Sequence, residues 1–446
     1  MIALRDAATF DLPAATESVD AQELLFQQRK VAIHERLVDS LNLSAIGEVS
    51  QERFADEVRQ LAQELTNQQA GDLGPEHRGR MVEELIHEIF GLGPLEALTR
   101  DPEISDILVN HAHEVYVERR GQLQRTNVIF ADDQHLMRII QRLTARVGRR
   151  VDEVSPMVDA RLPDGSRVNA IVPPLAVRGP SLSIRRFGST ALGVQDLLQN
   201  GSLTRAMVDF LAAAVESRVS FLISGGAGSG KTTMLNAMSA FIPDGERIIT
   251  IEDSVELQLK NRHVMQLETR LPNTEGKGEV TQRDLVRNAL RMRPDRILIG
   301  EVRGAEALDM LQAMNTGHEG SLSTIHANDT RETLARLEMM VAMSNTSLPV
   351  TVVRQYIGAG IRLIVHLARL RGGVRRVMRI SEIVGVEQNA FVVEDIFGFE
   401  QQGIDANGIA QGHFYATGYR PTCLKRFSTA GIHLPDALFD KQSEEP

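Results

Sequence analysis

Apolar residues from Ala21 to about Leu65 recur mostly at spacings of three and four, through Leu24, Leu25, Val31, Ile33, Leu37 and Leu41 and then Phe54, Val58, Leu61 and Leu65. Charged residues fill the intervals. This is the pattern of one buried helix face, so two or three helices in a small bundle are predicted. The preceding residues 1–20 are polar and aperiodic and are expected to be disordered. Asn67–Arg80, rich in Gly and Gln with one Pro, reads as a linker. Beyond it the pattern predicts a helix over Met81–Ile89, a turn at Gly91-Leu92-Gly93-Pro94, and strands over Ile104–Val109, Glu114–Glu118 and Gly121–Phe130. A helix over Asp133–Val147 and strands near Asn169–Val172 and Ser181–Arg186 complete a modest α+β unit.

Turn residues and a short amphipathic piece place a hinge over Gly188–Ser202. From Leu203 onward strands and helices alternate, as in a parallel sheet with crossovers. After about Ile361 the period becomes two, and Arg362–Leu367, a Gly372-Gly373 turn and Val374–Val384 predict a β-hairpin appended to that sheet. The expected division is residues 1–20 disordered, 21–75 helical bundle, 76–190 α+β domain, 191–205 linker, 206–436 α/β domain and 437–446 polar tail.

Gly225-Gly226-Ala227-Gly228-Ser229-Gly230-Lys231-Thr232 fits the pattern G-x-x-x-x-G-K-[ST], between the strand-like run Val219–Ser224 and a helix opening at Thr233–Met238. Strand, glycine loop and helix together let several backbone N–H groups converge on one phosphate, reinforced by the positive end of the helix dipole. Lys231 would reach the β- and γ-phosphates of a nucleotide and the Thr232 hydroxyl would hold Mg²⁺, with Thr233 counted among the nucleotide-binding residues. The alternative, a glycine-rich turn beside a surface lysine, is disfavoured by those flanks.

Length and charge narrow the picture further. At 446 residues the chain is too long for one compact core. A net charge of −10 argues against naked nucleic acid as the main partner, so no direct nucleic-acid contact is expected. Cys423 is the single cysteine, which excludes an intrachain disulfide and a cysteine-built zinc site and fits a reducing, cytoplasmic setting. Asp6 and Asp11 and the lack of an apolar core argue against a signal peptide, and no run approaches a membrane-spanning length.

Two further apolar strands end in acid. Arg247–Asp253 is followed by Ser254, Val255 and Glu256, and Asp295–Glu301 repeats the form, with Gly300 where a second carboxylate is usual. Carboxylates at strand ends beside a phosphate loop hold Mg²⁺ through water or position the attacking water. Either strand alone would fit a solvated loop; two behind one phosphate loop point to chemistry. Between them Thr281–Met292 reads as a helix, with Thr281 and Asp284 suited to a capping box. Its Arg283, Arg287 and Arg291 share a face that is either solvated or offered to phosphate or a neighbouring subunit. His318 and His326, eight residues apart, match no common zinc spacing, so a structural or nucleotide-sensing role is expected.

The ordered set of phosphate loop, T-I-E-D-S-V-E, G-E-V-R-G and T-G-H-E-G-S-L-S-T-I-H-A-N resembles the Walker A, Asp box, atypical Walker B and His box of the type II/type IV secretion ATPase superfamily. The finer pattern is similar to its CpaF-type branch, which drives Flp (tight-adherence) pilus assembly. Phe90–Glu96, Val158–Arg167 and Leu285–Asp295 support the match, which covers roughly residues 80–430 and weakens over the N-terminal helices. The four-cysteine zinc module of many pilus-extension relatives is missing, which fits that branch.

The resemblance implies an α/β fold: a RecA-like P-loop domain with a parallel-rich sheet, preceded by a smaller α+β (PAS-like) domain and an N-terminal helical bundle. It implies a Mg²⁺-dependent ATPase working as a homo-hexamer, cytoplasmic and peripheral at the inner membrane through pilus platform proteins. By position, Glu256 matches the glutamate that activates water, Glu301 the Walker B glutamate that supports Mg²⁺ partly through water, and His326 the residue near the γ-phosphate. Arg161, Arg167, Arg178 and Arg185 match arginines that reach the phosphates from the α+β domain. Three other readings remain open: a type IV secretion ATPase exporting protein or DNA, a RecA-like helicase or translocase, and an ATP-binding switch or adaptor ring without productive turnover.

Overall fold

The structure, a computed structural model, describes residues 21–40, 51–119, 121–186, 192–270, 272, 277–344, 348–441 and 443–444. The expectation for residues 1–20 therefore lies outside the described residues, as does the part of the predicted hinge at 188–191. The chain divides into two compact units, the first ending at Arg186.

In the first unit, helices α1 (Ala21–Ser40), α2 (Gln51–Gln69) and α3 (Pro75–Phe90) bury Phe26, Ile33, Leu37, Val58, Ala62, Met81, Val82 and Leu85 against one another. Most of the predicted linker over Asn67–Arg80 is thus helix. Gly74 is extended, and Pro75 takes the first helical position, where its missing N–H forfeits no bond. Because Met81, Val82 and Leu85 lie in the bundle's core, the bundle does not stop at residue 75.

A short α4 (Glu96–Arg100) leads into β1 (Ile104–His111), β2 (Glu114–Arg119), β3 (Gln122–Arg125), α5 (Asp133–Ala145), β4 (Met157–Arg161), β5 (Arg167–Ile171) and β6 (Ser181–Arg185). The strands form one sheet in the order β3-β2-β1-β6-β5-β4, and Leu136, Ile139, Ile140 and Leu143 of α5 are buried in its core. The predicted strand Gly121–Phe130 ends at Arg125; Phe130 is buried from irregular chain, its N–H donating to the Ala112 carbonyl at 2.7 Å. Strand β4 escaped prediction because Val158 is its only buried residue, which leaves no alternation to read.

The second unit opens with α6 (Val194–Gln199) and α7 (Arg205–Glu216). The linker expected over 191–205 is largely structured. Asp196 accepts the Gly193 N–H at 2.7 Å, and Leu197 and Leu203 join the second unit's core. There follow β7 (Phe221–Gly225), α8 (Lys231–Ser239), β8 (Ile248–Glu252), β9 (Val264–Glu268), α9 (Gln282–Ala289), β10 (Arg296–Val302), α10 (Glu306–Asn315), β11 (Leu322–His326), α11 (Thr330–Ala342), α12 (Val350–Gly360) and β12 (Leu363–Arg369). These strands lie parallel in the order β12-β7-β11-β10-β8-β9. Every residue of β7 and β8 is buried, as expected where helices cover both faces of a parallel sheet.

The predicted hairpin is present, but it begins a longer antiparallel extension of β13 (Arg375–Glu387), β14 (Ala390–Ile404), β15 (Ala410–Ala416) and, after α13 (Leu424–Thr429), β16 (Ser443–Glu444). The expected polar tail from 437 is anchored instead. Phe439 is buried with its ring 6.0 Å from Phe210 and 6.1 Å from Phe397, and Glu444 pairs with Phe414. The whole is a mixed α/β protein with a RecA-like second unit.

Candidate functional site

The phosphate loop joins β7 to α8. Gly225 ends the strand at φ +154°, and a Cβ there would stand 2.4 Å from Ser229 Oγ and 2.5 Å from the Leu367 carbonyl oxygen, so only glycine fits. Ser229 Oγ donates to the Gly226 carbonyl at 2.9 Å, closing the turn. Lys231 is buried beneath it and donates from Nζ to the Gly225 and Gly226 carbonyls, both at 3.0 Å. Thr232 and Thr233 are half-buried in the first turn of α8, and Ala227 is exposed at the tip of the loop. A cation beneath the loop and open space above Gly226, where a Cβ would meet nothing within 4 Å, together suit an anion on top.

Strand register gathers the predicted partners. His326, the last residue of β11, pairs with Gly225, at the mouth of the loop. His318 lies before the start of the same strand, at the opposite end from His326. Glu301 leaves β10 next in the sheet. Partial burial pushes its carboxyl up, but the hydrogen bond and charge of Arg303, with the charges of Lys231 and His326, outweigh that and hold it below its ordinary value. Arg303 Nη2 lies 3.2 Å from Glu301, and Nη1 lies 3.3 Å from Asp253 at the end of β8. One guanidinium thus ties the two acid-tipped strands together. Sequence reasoning passed over Arg303; its signal was a lone cation within the G-E-V-R-G run.

The glycine before Glu301 has a physical cause. Ile299 pairs with Ile251, so Gly300 lies beside Glu252, and a Cβ at 300 would stand 2.9 Å from Glu252 Cγ. Glu252 fills the volume that a second carboxylate on β10 would need. Its Oε1 accepts the N–H groups of Glu256 and Leu257 at 2.9 and 3.0 Å, while Asn236 of α8 accepts the Gln258 N–H at 2.9 Å. The loop that carries Glu256 is therefore clamped at its backbone, and the Glu256 side chain is exposed.

Two of the three arginines predicted to share a face are tied to α10. Thr281 and Asp284 form the predicted capping box, and Arg283 and Arg287 donate to the two oxygens of buried Asp309 at 2.8 and 2.9 Å. Arg291 donates to the Arg287 carbonyl. In the first unit, cross-strand register aligns Arg161 with Arg167 and Arg167 with Arg185, so three of the four predicted arginines form one lateral row on one face. Asp159 holds Arg167 at 3.0 and 2.5 Å, the Gly165 carbonyl accepts from Arg161 at 3.2 Å, and Asp106 lies 3.7 Å from Arg185. Arg178 is not with them: it is exposed in the connection at the other end of β5 and β6.

Mg²⁺ in phosphate sites is held by one or two protein oxygens together with substrate phosphates and waters. The Thr232 hydroxyl and the Glu301 carboxylate are donors of that kind, and among the described residues no group of three or more His, Cys, Asp or Glu forms a protein-only cage. Among those residues no helix is long and apolar enough to cross a membrane.

A parallel sheet with a lysine-bearing phosphate loop and acids at the ends of the neighbouring strands defines a P-loop ATPase. The model of the Type II/IV secretion system protein family matches residues 88–393, and the chain belongs to that family. A candidate conjugal transfer protein of Mycobacterium tuberculosis is 40% identical over 290 residues, 64% of this chain and 82% of that protein. The type IV secretion system protein VirB11 of Brucella suis is 32% identical over 305 residues, 62% of this chain and 84% of that protein. The crystal structure of the VirB11 ATPase from the Brucella suis type IV secretion system, in complex with sulphate, aligns at 29% identity and TM-score 0.36, covering 66% of this chain and 96% of that one.

Proposed function

We propose that this ATPase is the motor of a type IV secretion machine that exports protein or DNA, working as a homo-hexamer peripheral to the inner membrane. The observation that carries the enzymatic part is the convergence of Lys231, Glu301 and His326 at the mouth of the phosphate loop. The secretion part draws on the relatives named above, a candidate conjugal transfer protein and a type IV secretion system protein. They favour export over the Flp-pilus assembly suggested by the finer sequence pattern.

In this reading Lys231 binds the β- and γ-phosphates of ATP, and Thr232 and Glu301 hold Mg²⁺, which neutralises charge on the transferring phosphoryl group. Glu256 orients or deprotonates the attacking water, and His326 reports the γ-phosphate. The row Arg161, Arg167 and Arg185 contributes phosphate-binding charge, supported by its cross-strand alignment. Steady-state ATP hydrolysis by Lys231→Ala and Glu256→Gln tests the site. Both variants should lose turnover, by about 100-fold or more for a group acting in the transition state. Undiminished hydrolysis by Lys231→Ala would sink the assignment.

A further inference from the structure

Glu301 and His326 reach the phosphate loop from strands on one side of β7; β12 and β13 lie on the other. From that second side the end of a hairpin comes down on the loop. Arg369 closes β12 and Arg375 opens β13, and the two pair across the hairpin. Arg375 Nε donates to the Gly228 carbonyl at 2.8 Å. A Cβ at Gly228 (φ +67°) would stand 3.3 Å from Arg369 Nη1, and one at Gly230 (φ +97°) would stand 3.4 Å from Arg375 Cδ. With the Leu367 carbonyl against Gly225, the hairpin follows the loop along most of its length.

The chemistry of this contact is directional. A loop binds phosphate through its N–H groups, so its carbonyls must be turned away and satisfied elsewhere. Lys231 satisfies the carbonyls of Gly225 and Gly226. Arg375 satisfies that of Gly228, from outside the motif. Guanidinium is a permanent cation with planar donors suited to phosphate oxygens; Arg369 donates from Nη2 to the Gly121 carbonyl and carries its Nη1 beside Gly228 of the same loop.

We propose that the β12–β13 hairpin is the second wall of the nucleotide site, with Arg375 positioning the phosphate loop through the Gly228 carbonyl and Arg369 binding the polyphosphate of a nucleoside di- or triphosphate. This rests on the phosphate-loop reading above. The hairpin lies more than 130 residues along the chain from the motif it serves.

The test uses full-length Arg369→Ala, Arg375→Ala and Arg375→Lys beside wild type and Lys231→Ala. ATP hydrolysis is measured with inorganic tripolyphosphate as a phosphate-only competitor. For each alanine variant the KM for ATP should rise about tenfold, the effect of losing one charge-assisted hydrogen bond, with kcat within about twofold. The inhibition constant of tripolyphosphate should weaken in step with KM in Arg369→Ala, and Arg375→Lys should recover part of the loss. An unchanged KM in both alanine variants overturns the proposal. So does a raised KM with unaltered tripolyphosphate inhibition in Arg369→Ala, or a lowered melting temperature with equal loss of kcat in Arg375→Ala and Arg375→Lys. If wild type does not hydrolyse ATP, or Lys231→Ala matches it, the phosphate-loop reading fails instead.

Discussion

Gly300 and Glu252 compete for one volume, and that competition sets the form of the acid-tipped strand. With Glu252 Cγ 2.9 Å from where a Cβ would stand, Gly300→Ala must displace the side chain whose Oε1 holds the Glu256 and Leu257 amides. We expect a loss of about 1–3 kcal/mol in stability, the usual effect of overpacking, and a larger fall in kcat than in ATP affinity because the Glu256 loop shifts. Urea denaturation and steady-state kinetics on the same variant check both. A fully active, fully stable Gly300→Ala would show that Glu252 does not position that loop. At this scale the sequence was legible where a motif spells out its own geometry: Gly225 ends β7, and Lys231 and Thr232 open α8. It was silent where one residue's role is set by a distant partner. Arg303 reads as an ordinary surface cation until Asp253 and Glu301 are brought to it by adjacent strands. Arg283 and Arg287 read equally as a solvated face or as donors to phosphate or a neighbouring subunit, and nothing in that pattern points to Asp309, which accepts from both.

Between elements, one buried ionic cluster joins three helices of the first unit. Lys30 of α1, fully buried, lies 2.9 Å from Glu84 and 3.1 Å from Glu88 of α3, and Glu88 is 3.0 Å from His135 of α5. Burial pushes the Glu88 carboxyl up, yet the hydrogen bonds and charges of His135 and Lys30 prevail and hold it near about 2, from an ordinary 4.5. A depressed folded value means stabilisation that is complete above about 4.5 and disappears as pH falls toward 2. Urea denaturation from pH 6 to pH 2.5 should therefore show stability falling below about pH 4.5. In Glu88→Gln the fall should be shallower, from a neutral-pH stability already lower by about 3 kcal/mol, because a buried cation has lost a partner. Equal pH profiles for variant and wild type would remove Glu88 from this role. Strands buried along their whole length were the plainest to read from sequence. The wholly buried β7 and β8 stand out as apolar runs, whereas β4 buries only Val158 and was missed. The linker predicted over Asn67–Arg80 failed for a related reason: Gly and Gln content signals a break, but Pro75 at a first helical turn starts a helix.

For the whole molecule, the phosphate loop and the arginine row belong to different compact units. We expect turnover to require both, since an arginine supplied to developing phosphoryl charge is worth roughly three to five powers of ten in rate. In a ring, that supply depends on assembly. Specific ATPase activity should then rise with protein concentration and level off as the oligomer saturates, with mass determination across the same range showing the transition. Arg167→Ala should abolish the rise while leaving assembly intact, because Arg167 is exposed and Asp159 of the neighbouring strand, which accepts from it, belongs to the same unit. Asp159→Asn separates the two roles of that pair: it keeps the positive charge but frees its orientation, so activity should fall by less than in Arg167→Ala. Specific activity that stays constant from dilute monomer to saturated oligomer, and is untouched by Arg167→Ala, would leave the second unit as a self-sufficient ATPase and remove the arginine row from the chemistry.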